Sequence, residues 1–167
     1  MLRRSFLALL LLAPASRLAA QDAPLTVFVV RHAEKGPENP DPSLTEAGRR
    51  RAEALARTLK DAHITALFAT EFKRTQETLA PLANATGLVP MLAAAGKMDD
   101  LIEMLRGLPS GSRAVVASHS NLVHLIVERL SGQQVPILTD LDYDRLVVVT
   151  VQGDGKGQAI VLRYGEP

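Results

Sequence analysis

The hydrophobic and polar residues of this chain follow two alternating patterns. Short apolar runs over 25–30 and 115–117 have the length and the β-branched content of buried strands. Between such runs, apolar residues recur every three or four positions, as they do from Ala52 to Leu59. Strands that alternate with amphipathic helices predict an α/β fold, a three-layer sandwich with a mostly parallel central sheet and helices on both faces.

Turn and capping residues give approximate bounds to the predicted elements. Three prolines within 36–42 exclude regular structure there, and Ser43 or Thr45 is suited to cap the helix that follows. Thr70 is the predicted N-cap of the second helix. The predicted helices span about 46–60, 71–85, 98–106 and 121–130, and further strands span 66–69, 146–151 and 159–162. The glycine-rich 153–157 joins strand to strand, which predicts a hairpin and therefore at least one antiparallel strand.

The first twenty residues differ in pattern from the rest of the chain. A basic segment over 1–4 precedes an unbroken apolar run over 6–13, and small residues end the segment at Ala20. This order predicts a secretory signal peptide over 1–20 that is cleaved after Ala20. An uncleaved membrane anchor is the alternative, but a spanning helix needs about 20 apolar residues, and Arg17 interrupts this stretch.

Removal of this segment makes the mature chain mildly acidic. The full chain carries 19 Lys and Arg against 18 Asp and Glu, and loss of the three arginines before position 21 leaves 16 against 18, a net charge of −2. We therefore expect one exported domain over 21–167, periplasmic or secreted, which neither binds nucleic acid nor stays inserted in a membrane. The absence of cysteine excludes disulfides and thiol catalysis.

Two of the predicted strands end in a histidine. Arg31, His32 and Glu34 follow the first apolar run, so a guanidinium, an imidazole and a carboxylate come to the carboxyl edge of the sheet. His119 and Asn121 follow a later strand in the same way. Because ligands bind at that edge in open α/β sheets, these five residues are candidate catalytic or binding groups.

Arg74 adds a second guanidinium near the start of a predicted helix, where backbone amides and the helix dipole favour an anion. Two guanidiniums can hold phosphate oxygens bidentately. A neutral imidazole between them can attack phosphorus, and a protonated second imidazole can stabilise the transferring phosphoryl group. Arg31, His32, Arg74 and His119 therefore predict phosphoryl-transfer chemistry.

Four segments, in this order, resemble the motifs of the histidine phosphatase superfamily, also called phosphoglycerate mutase-like proteins. The resemblance extends over nearly all of the predicted mature chain, whose size and motif order are similar to those of bacterial phosphohistidine phosphatases. The segments are 29–34 (Val-Val-Arg-His-Ala-Glu), 43–48 (Ser-Leu-Thr-Glu-Ala-Gly), 69–78 (Ala-Thr-Glu-Phe-Lys-Arg-Thr-Gln-Glu-Thr) and 118–121 (Ser-His-Ser-Asn).

The resemblance implies a phosphatase that needs no metal and no other cofactor. It implies that His32 becomes transiently phosphorylated and that Arg31, Arg74 and His119 complete the phosphate pocket. The implied substrate is a phosphomonoester or a phosphoramidate, either a phosphorylated small molecule or a phosphohistidine. Asn121 is a candidate for binding this substrate.

The chain departs from the family pattern in two places. Ala33 stands where the usual Arg-His-Gly triplet has glycine, a change that we expect the fold to tolerate. The general-acid glutamate of the mutases has no evident counterpart, and Ser120 replaces the aspartate that follows the second histidine in acid phosphatases. Glu34, Asp99 and Asp100 remain as candidate proton donors.

Three other functions fit some of these residues. A metal site could use His32, Glu34 and His119, although the neighbouring arginines would repel a cation and no His-x-x-x-His helix supports it. A phosphoglycerate mutase-like phosphotransferase would need a donor acid and a cap that excludes water. A non-catalytic module that binds a phosphorylated ligand would need the pocket alone.

Overall fold

The structure, a computed structural model, describes residues 23–38 and 40–166. The predicted signal peptide over 1–20 lies outside these residues. In the described part, no helix is both long enough and apolar enough to cross a membrane. The elements, in chain order, are β1 (Leu25–Arg31), α1 (Glu46–Leu59), β2 (Ala66–Ala69), α2 (Lys73–Thr86), β3 (Met91–Leu92), α3 (Met98–Arg106), β4 (Arg113–Ser118), α4 (Ser120–Ser131), β5 (Arg145–Val151) and β6 (Gly157–Arg163).

The strands form one sheet in the order β3-β2-β4-β1-β5-β6. β1, β2, β3 and β4 are parallel to one another, whereas β5 is antiparallel to both of its neighbours. The predicted mostly parallel sheet and its terminal hairpin are therefore confirmed. β3 is an exposed edge strand of two residues, too short for the apolar pattern of the sequence to indicate it.

Hydrophobic cores cover both faces of the sheet. On one face, strand residues pack against α3 and α4, which contribute Leu105 and Ile126 among others. On the other face they pack against α1 and α2, which contribute Leu55 and Leu82. Because successive side chains of a strand point to opposite faces, the central strands must be apolar throughout. The predicted three-layer sandwich is confirmed.

The start of α1 packs closely against the segment that follows β1. Of the two predicted candidates, Thr45 is the N-cap, and its hydroxyl oxygen accepts a hydrogen bond from the backbone nitrogen of Gly48 at 3.1 Å. The backbone nitrogen of Thr45 donates to the carbonyl oxygen of Glu34 at 2.9 Å. A Cβ atom at position 48 would lie 2.2 Å from that same carbonyl oxygen, so only glycine fits there.

The predicted N-cap of the second helix is wrong. α2 begins at Lys73 rather than directly after Thr70, because the Thr70 hydroxyl bonds to Thr75 and to His119 instead. The first amide of the helix is bound from outside, since Asp41 in the proline-rich loop accepts a hydrogen bond from the Lys73 nitrogen at 3.1 Å. A local capping pattern could not reveal this long-range contact.

The reversed direction of β5 brings a late segment of the chain to the carboxyl edge of the sheet. α4 ends beside the start of β6, at the opposite edge, where Ser131 lies against Gly157. The segment 132–144 returns along the molecule and is anchored midway by the buried Leu138. β5 then starts next to the end of β1, with Leu146 paired to Val30.

Candidate active site

Four of the five predicted catalytic residues meet at the carboxyl edge of three neighbouring parallel strands. Arg31 is the last residue of β1 and His32 follows it, while His119 follows β4 and Arg74 lies in the first turn of α2 after β2. All four line one open cavity of about 480 Å³. Asn121, the second residue of α4, is exposed at the same cavity, so the structure also brings this candidate binding residue to the site.

His32 is buried and has a defined tautomer. Its Nδ1 lies 2.8 Å from the carbonyl oxygen of Ala33. Since a carbonyl oxygen can only accept, Nδ1 carries the proton and Nε2 keeps a free lone pair. Burial lowers the pKa of His32 to about 3, with smaller contributions from neighbouring positive charges. The ring is therefore neutral at neutral pH and able to act as a nucleophile.

His119 is held in place by a chain of hydroxyl groups. Its ring lies edge-on to that of His32, with 5.4 Å between the ring centroids. Its Nε2 lies 3.1 Å from the hydroxyl of Thr70, which lies 2.9 Å from the hydroxyl of Thr75. Thr75 donates its hydrogen to the carbonyl oxygen of Phe72, so Thr70 donates to Thr75 and accepts from Nε2 of His119.

The charge of His119 differs from the sequence-based expectation. Burial, followed by the positive charge of Arg74, lowers the pKa of His119 to about 4. The second imidazole is thus neutral at neutral pH rather than protonated, because it shares a buried site with two guanidinium groups. An anion bound beside it would favour the protonated form.

Arg31 is buried and is held on one side of its guanidinium. Nη1 donates to the carbonyl oxygen of Thr139 at 2.7 Å, and Nη2 donates to the hydroxyl of Tyr143 at 3.3 Å. The guanidinium carbon lies 4.0 Å from the centroid of the Tyr143 ring, a cation–π contact. Nη2 also lies 3.6 Å from the exposed carboxylate of Asp140.

Arg74 has a similar arrangement on the other side of the cavity. Its guanidinium carbon lies 4.3 Å from the centroid of the Phe72 ring, and Nη1 lies 3.7 Å from Oδ1 of Asp41. The Nε atoms of both arginines are buried and have no hydrogen-bond partner among the described residues. Buried cationic donors of this kind favour an oxyanion as ligand.

Glu34 does not join this cluster. Its Oε1 accepts a hydrogen bond from Nε of Arg51 at 2.9 Å and lies 2.8 Å from Nη2 of the same residue. The pair lies at a separate cavity of about 430 Å³, whose lining includes Glu166 near the end of the chain. The proposed catalytic role of Glu34 therefore receives no support from its position, which is that of an ion pair beside the site.

The other sequence-derived proton donors also lie away from the pocket. Asp99 pairs with Arg129 of α4 at 2.6 Å, and Asp100 is exposed on α3. Neither lines the cavity of His32. Among the described residues, the carboxylate that does line it is that of Asp140, in the segment before β5.

The alternative metal site is not assembled by the structure. Among the described residues, no group of three or more His, Cys, Asp and Glu side chains is arranged to hold a metal ion. Of the three ligands considered, His32 and His119 are neighbours, but Glu34 is bound to Arg51.

The substitution of alanine for glycine after His32 is accommodated as expected. Ala33 is fully buried in a small cluster with Leu44 and Ala52. Its backbone nitrogen donates to the hydroxyl of Thr78 at 2.9 Å, and that hydroxyl donates to the Arg74 carbonyl oxygen. The segment that carries His32 is thereby tied to the helix that carries Arg74.

Sequence reasoning missed the residues that flank the arginines. Tyr143, Thr139 and Asp140 all contact Arg31, and Phe72 lies under Arg74. Phe72 is part of a motif, and an aromatic residue two positions before Arg74 was a usable signal for a cation–π contact. The other three lie in a segment with neither helical nor strand periodicity, so nothing local marked them.

Together, the fold and the site define an α/β protein with an oxyanion pocket built from two histidines and two arginines. Residues 27–104 match the family model of the histidine phosphatase superfamily, branch 1, a range that contains Arg31, His32 and Arg74. This match confirms the resemblance of the chain's motifs to those of the superfamily. His119 lies beyond the matched range, and its place in the site rests on the geometry above.

Solved structures show the same fold. The protein histidine phosphatase SixA complexed with tungstate is 22% identical, with a TM-score of 0.65, over 83% of this chain and 96% of that chain. A mycobacterial glucosyl-3-phosphoglycerate phosphatase is 14% identical, with a TM-score of 0.69, over 84% of this chain and 99% of that chain. A structure described as mycobacterial hydrolase 2 is 14% identical, with a TM-score of 0.71, over 86% and 92%. No curated protein sequence matches the chain.

Proposed function

We propose that this protein is a metal-independent phosphatase that works through a phosphohistidine at His32. The observation that carries the proposal is the neutral, buried His32, with Nε2 unprotonated, in a cavity shared with Arg31 and Arg74. The Nε atoms of both arginines are buried donors without a partner among the described residues. A tetrahedral oxyanion has the charge and the acceptor geometry to bind both guanidiniums.

The proposed reaction has two displacement steps at phosphorus. In the first, Nε2 of His32 forms a bond to phosphorus as the bond to the leaving oxygen or nitrogen breaks. In the second, water attacks the phosphohistidine, the P–N bond breaks, and inorganic phosphate and neutral His32 are released with one proton. Arg31 and Arg74 orient the phosphoryl oxygens, and His119 stabilises their charge as the phosphoryl group is transferred.

The substrate is a group that leaves without strong acid assistance. The carboxylate in the cavity lining, that of Asp140, is exposed and paired with Arg31, so we assign no proton donor. Phosphoramidates such as phosphohistidine, and esters of acidic alcohols, fit this site better than simple alkyl phosphates. The tungstate complex of SixA supports an oxyanion as ligand, and the names of the similar structures include both a protein histidine phosphatase and a sugar-phosphate phosphatase.

The proposal is tested by hydrolysis of p-nitrophenyl phosphate in the presence of EDTA. We expect turnover by the wild type, none by His32→Asn, and wild-type turnover by His63→Asn, because His63 is exposed in a loop outside the cavity. The intermediate is tested with a substrate whose phosphoryl group is labelled. Rapid quenching in alkali, in which phosphohistidine is stable, should leave the label on the wild-type protein and none on His32→Asn.

Each other result selects a different function. Activity that EDTA removes and zinc restores would favour a metalloenzyme. Conversion of phosphoglycerate to its isomer, rather than to free phosphate, would favour a phosphotransferase of the mutase type. A folded protein that binds phosphate without turning over any ester or phosphoramidate would be a binding module.

We also propose that the phosphatase acts outside the cytoplasm. The support is the order of basic, apolar and small residues over 1–20. When the full chain is expressed in a bacterium, we expect the periplasmic fraction to contain a protein whose first residue is Gln21. A membrane-bound protein that keeps its first residues would favour the anchor instead.

A further inference from the structure

Arg31 depends on a segment that lies outside the four motifs. We propose that Asp142 is a positioning residue for Arg31, which acts by fixing the Thr139 carbonyl group that binds the guanidinium. The inference deepens the proposed function, because it concerns the grip on the phosphoryl group in the same pocket. Asp142 does not line the cavity, so it has no direct contact with a bound anion.

Asp142 holds Thr139 at three atoms. Its Oδ2 accepts hydrogen bonds from the backbone nitrogen of Thr139 at 2.8 Å and from the Thr139 hydroxyl at 2.7 Å. Its own backbone nitrogen donates to the Thr139 carbonyl oxygen at 3.2 Å. Together these bonds close a tight turn over 139–142 and leave the carbonyl group of Thr139 little freedom to rotate.

The other carboxylate oxygen ties this turn to the sheet. Oδ1 of Asp142 accepts from Nη2 of Arg145, the first residue of β5, at 3.1 Å. Arg145 also lies 3.5 Å from the buried carboxylate of Asp144. The hydrogen bonds from Thr139 hold the pKa of Asp142 below its usual range, so the carboxylate is ionised throughout the neutral range.

The fixed carbonyl group then sets the orientation of Arg31. The Thr139 carbonyl oxygen accepts from Nη1 of Arg31 at 2.7 Å, the shortest hydrogen bond that this guanidinium makes among the described residues. A planar guanidinium bound at Nη1 and stacked on Tyr143 can present its remaining N–H groups in one direction only. A bidentate grip on an oxyanion depends on that direction, because both N–H groups must point at oxygens at once.

Asp154 offers a matched control. Like Asp142, it lies in a turn next to a strand. It accepts a hydrogen bond from the backbone nitrogen of Lys156 at 3.0 Å, and its carboxylate lies 3.1 Å from the Lys156 side-chain nitrogen. It is in the β5–β6 hairpin, at the edge of the sheet away from the pocket. Asp154→Asn therefore removes the same charge from a similar turn without touching Arg31.

The test is the dissociation constant of tungstate, measured by calorimetry on folded wild-type and variant proteins. We expect Asp142→Ala to weaken tungstate binding about tenfold, a typical coupling within a hydrogen-bonded network. Asp142→Asn, whose amide oxygen can still accept from Thr139, should weaken it less, and Asp154→Asn should leave it unchanged. In an Arg31→Ala background, Asp142→Ala should have no additional effect, because the group that it positions is gone.

Two results would overturn the proposal: unchanged affinity in Asp142→Ala, or an Asp142→Ala effect that is equally large with and without Arg31. If Asp142→Ala does not fold, Asp142→Asn and its combination with Arg31→Ala answer the same question. A failure of the proposed function gives a different result. The variants would then show the expected changes in tungstate affinity, but the wild type would not hydrolyse its substrates. Absence of tungstate binding by the wild type would overturn both.

Discussion

His32 and Glu34 are two residues apart, yet their side chains line different cavities. β1 ends at Arg31, so residues 32–34 lie beyond the strand, in which residues two positions apart would share one side. His32 lines the pocket with the arginines, whereas Glu34 pairs with Arg51, which also donates to carbonyl oxygens of Tyr164 and Glu166. Two nearby positions of one motif thus lie in different surroundings, one in the proposed active site and one in an ion pair.

This division predicts the effect of Glu34→Gln. Loss of the charge should lower the free energy of unfolding by about 2 kcal/mol, because a charged hydrogen bond to a largely buried Arg51 is lost, while kcat for p-nitrophenyl phosphate stays close to that of the wild type. Urea denaturation and steady-state kinetics measure the two quantities. The control is Glu46→Gln, which breaks the exposed pair with Arg50 and should cost less than about 0.5 kcal/mol. A large fall in kcat with unchanged stability would instead make Glu34 a catalytic acid.

Among the elements, α1 and α2 hold in place the segment that carries the proposed nucleophile, His32. α1 reaches it through Thr45 and Gly48, both of which lie against the Glu34 carbonyl oxygen. α2 reaches it through Thr78, which binds the Ala33 nitrogen. Thr45, Gly48 and Thr78 therefore act by positioning the backbone directly after His32.

Gly48→Ala tests this packing. In an ordinary helix, alanine is favoured over glycine by about 1 kcal/mol. Here the added Cβ would lie 2.2 Å from a backbone oxygen, so α1 or the His32 segment must shift, and we expect stability to fall by about 1–3 kcal/mol together with kcat/KM. Gly107→Ala, whose Cβ would come no closer than 3.3 Å to a backbone oxygen, should change both quantities little. A more stable and fully active Gly48→Ala variant would contradict the close approach.

The element pattern and the four central site residues could be predicted from the sequence because both depend on local order. Strand and helix periodicity is carried by adjacent residues, and Arg31, His32 and His119 come directly after strands whose apolar character is evident. The wrong N-cap at Thr70 and the missed Tyr143 have a common cause. In both cases the local structure depends on a contact with residues distant in the chain. Asp41 binds the first amide of α2, and the segment before β5 contacts Arg31.

At the scale of the whole molecule, the buried histidines make the fold sensitive to acid. Both have pKa values lowered by burial, His32 to about 3 and His119 to about 4, from an ordinary value of 6.5. Between pH 6.5 and about 4, the unfolded chain therefore binds protons that the folded chain excludes. Stability is unaffected above this range and falls as the pH decreases through it.

The expected measurement is the urea denaturation midpoint between pH 4.5 and 7.5. The free energy of unfolding of the wild type should fall more steeply with decreasing pH than that of His32→Asn, by roughly 1 kcal/mol per pH unit. The reason is that the variant lacks one of the two imidazoles that take up a proton only on unfolding. The exposed His63→Asn variant should follow the wild type. Parallel curves for wild type and His32→Asn would mean that His32 titrates normally in the folded state.

The antiparallel β5 also determines when the pocket can form during synthesis. A ribosome makes the chain from its amino end, so Arg31, His32, Arg74 and His119 all emerge before Thr139 and Tyr143. Until β5 has paired with β1, the Arg31 guanidinium lacks the carbonyl group and the ring that hold it. A nascent chain that already contains all four motifs would therefore remain unable to grip phosphate until residues 139–151 have been made and have folded against β1.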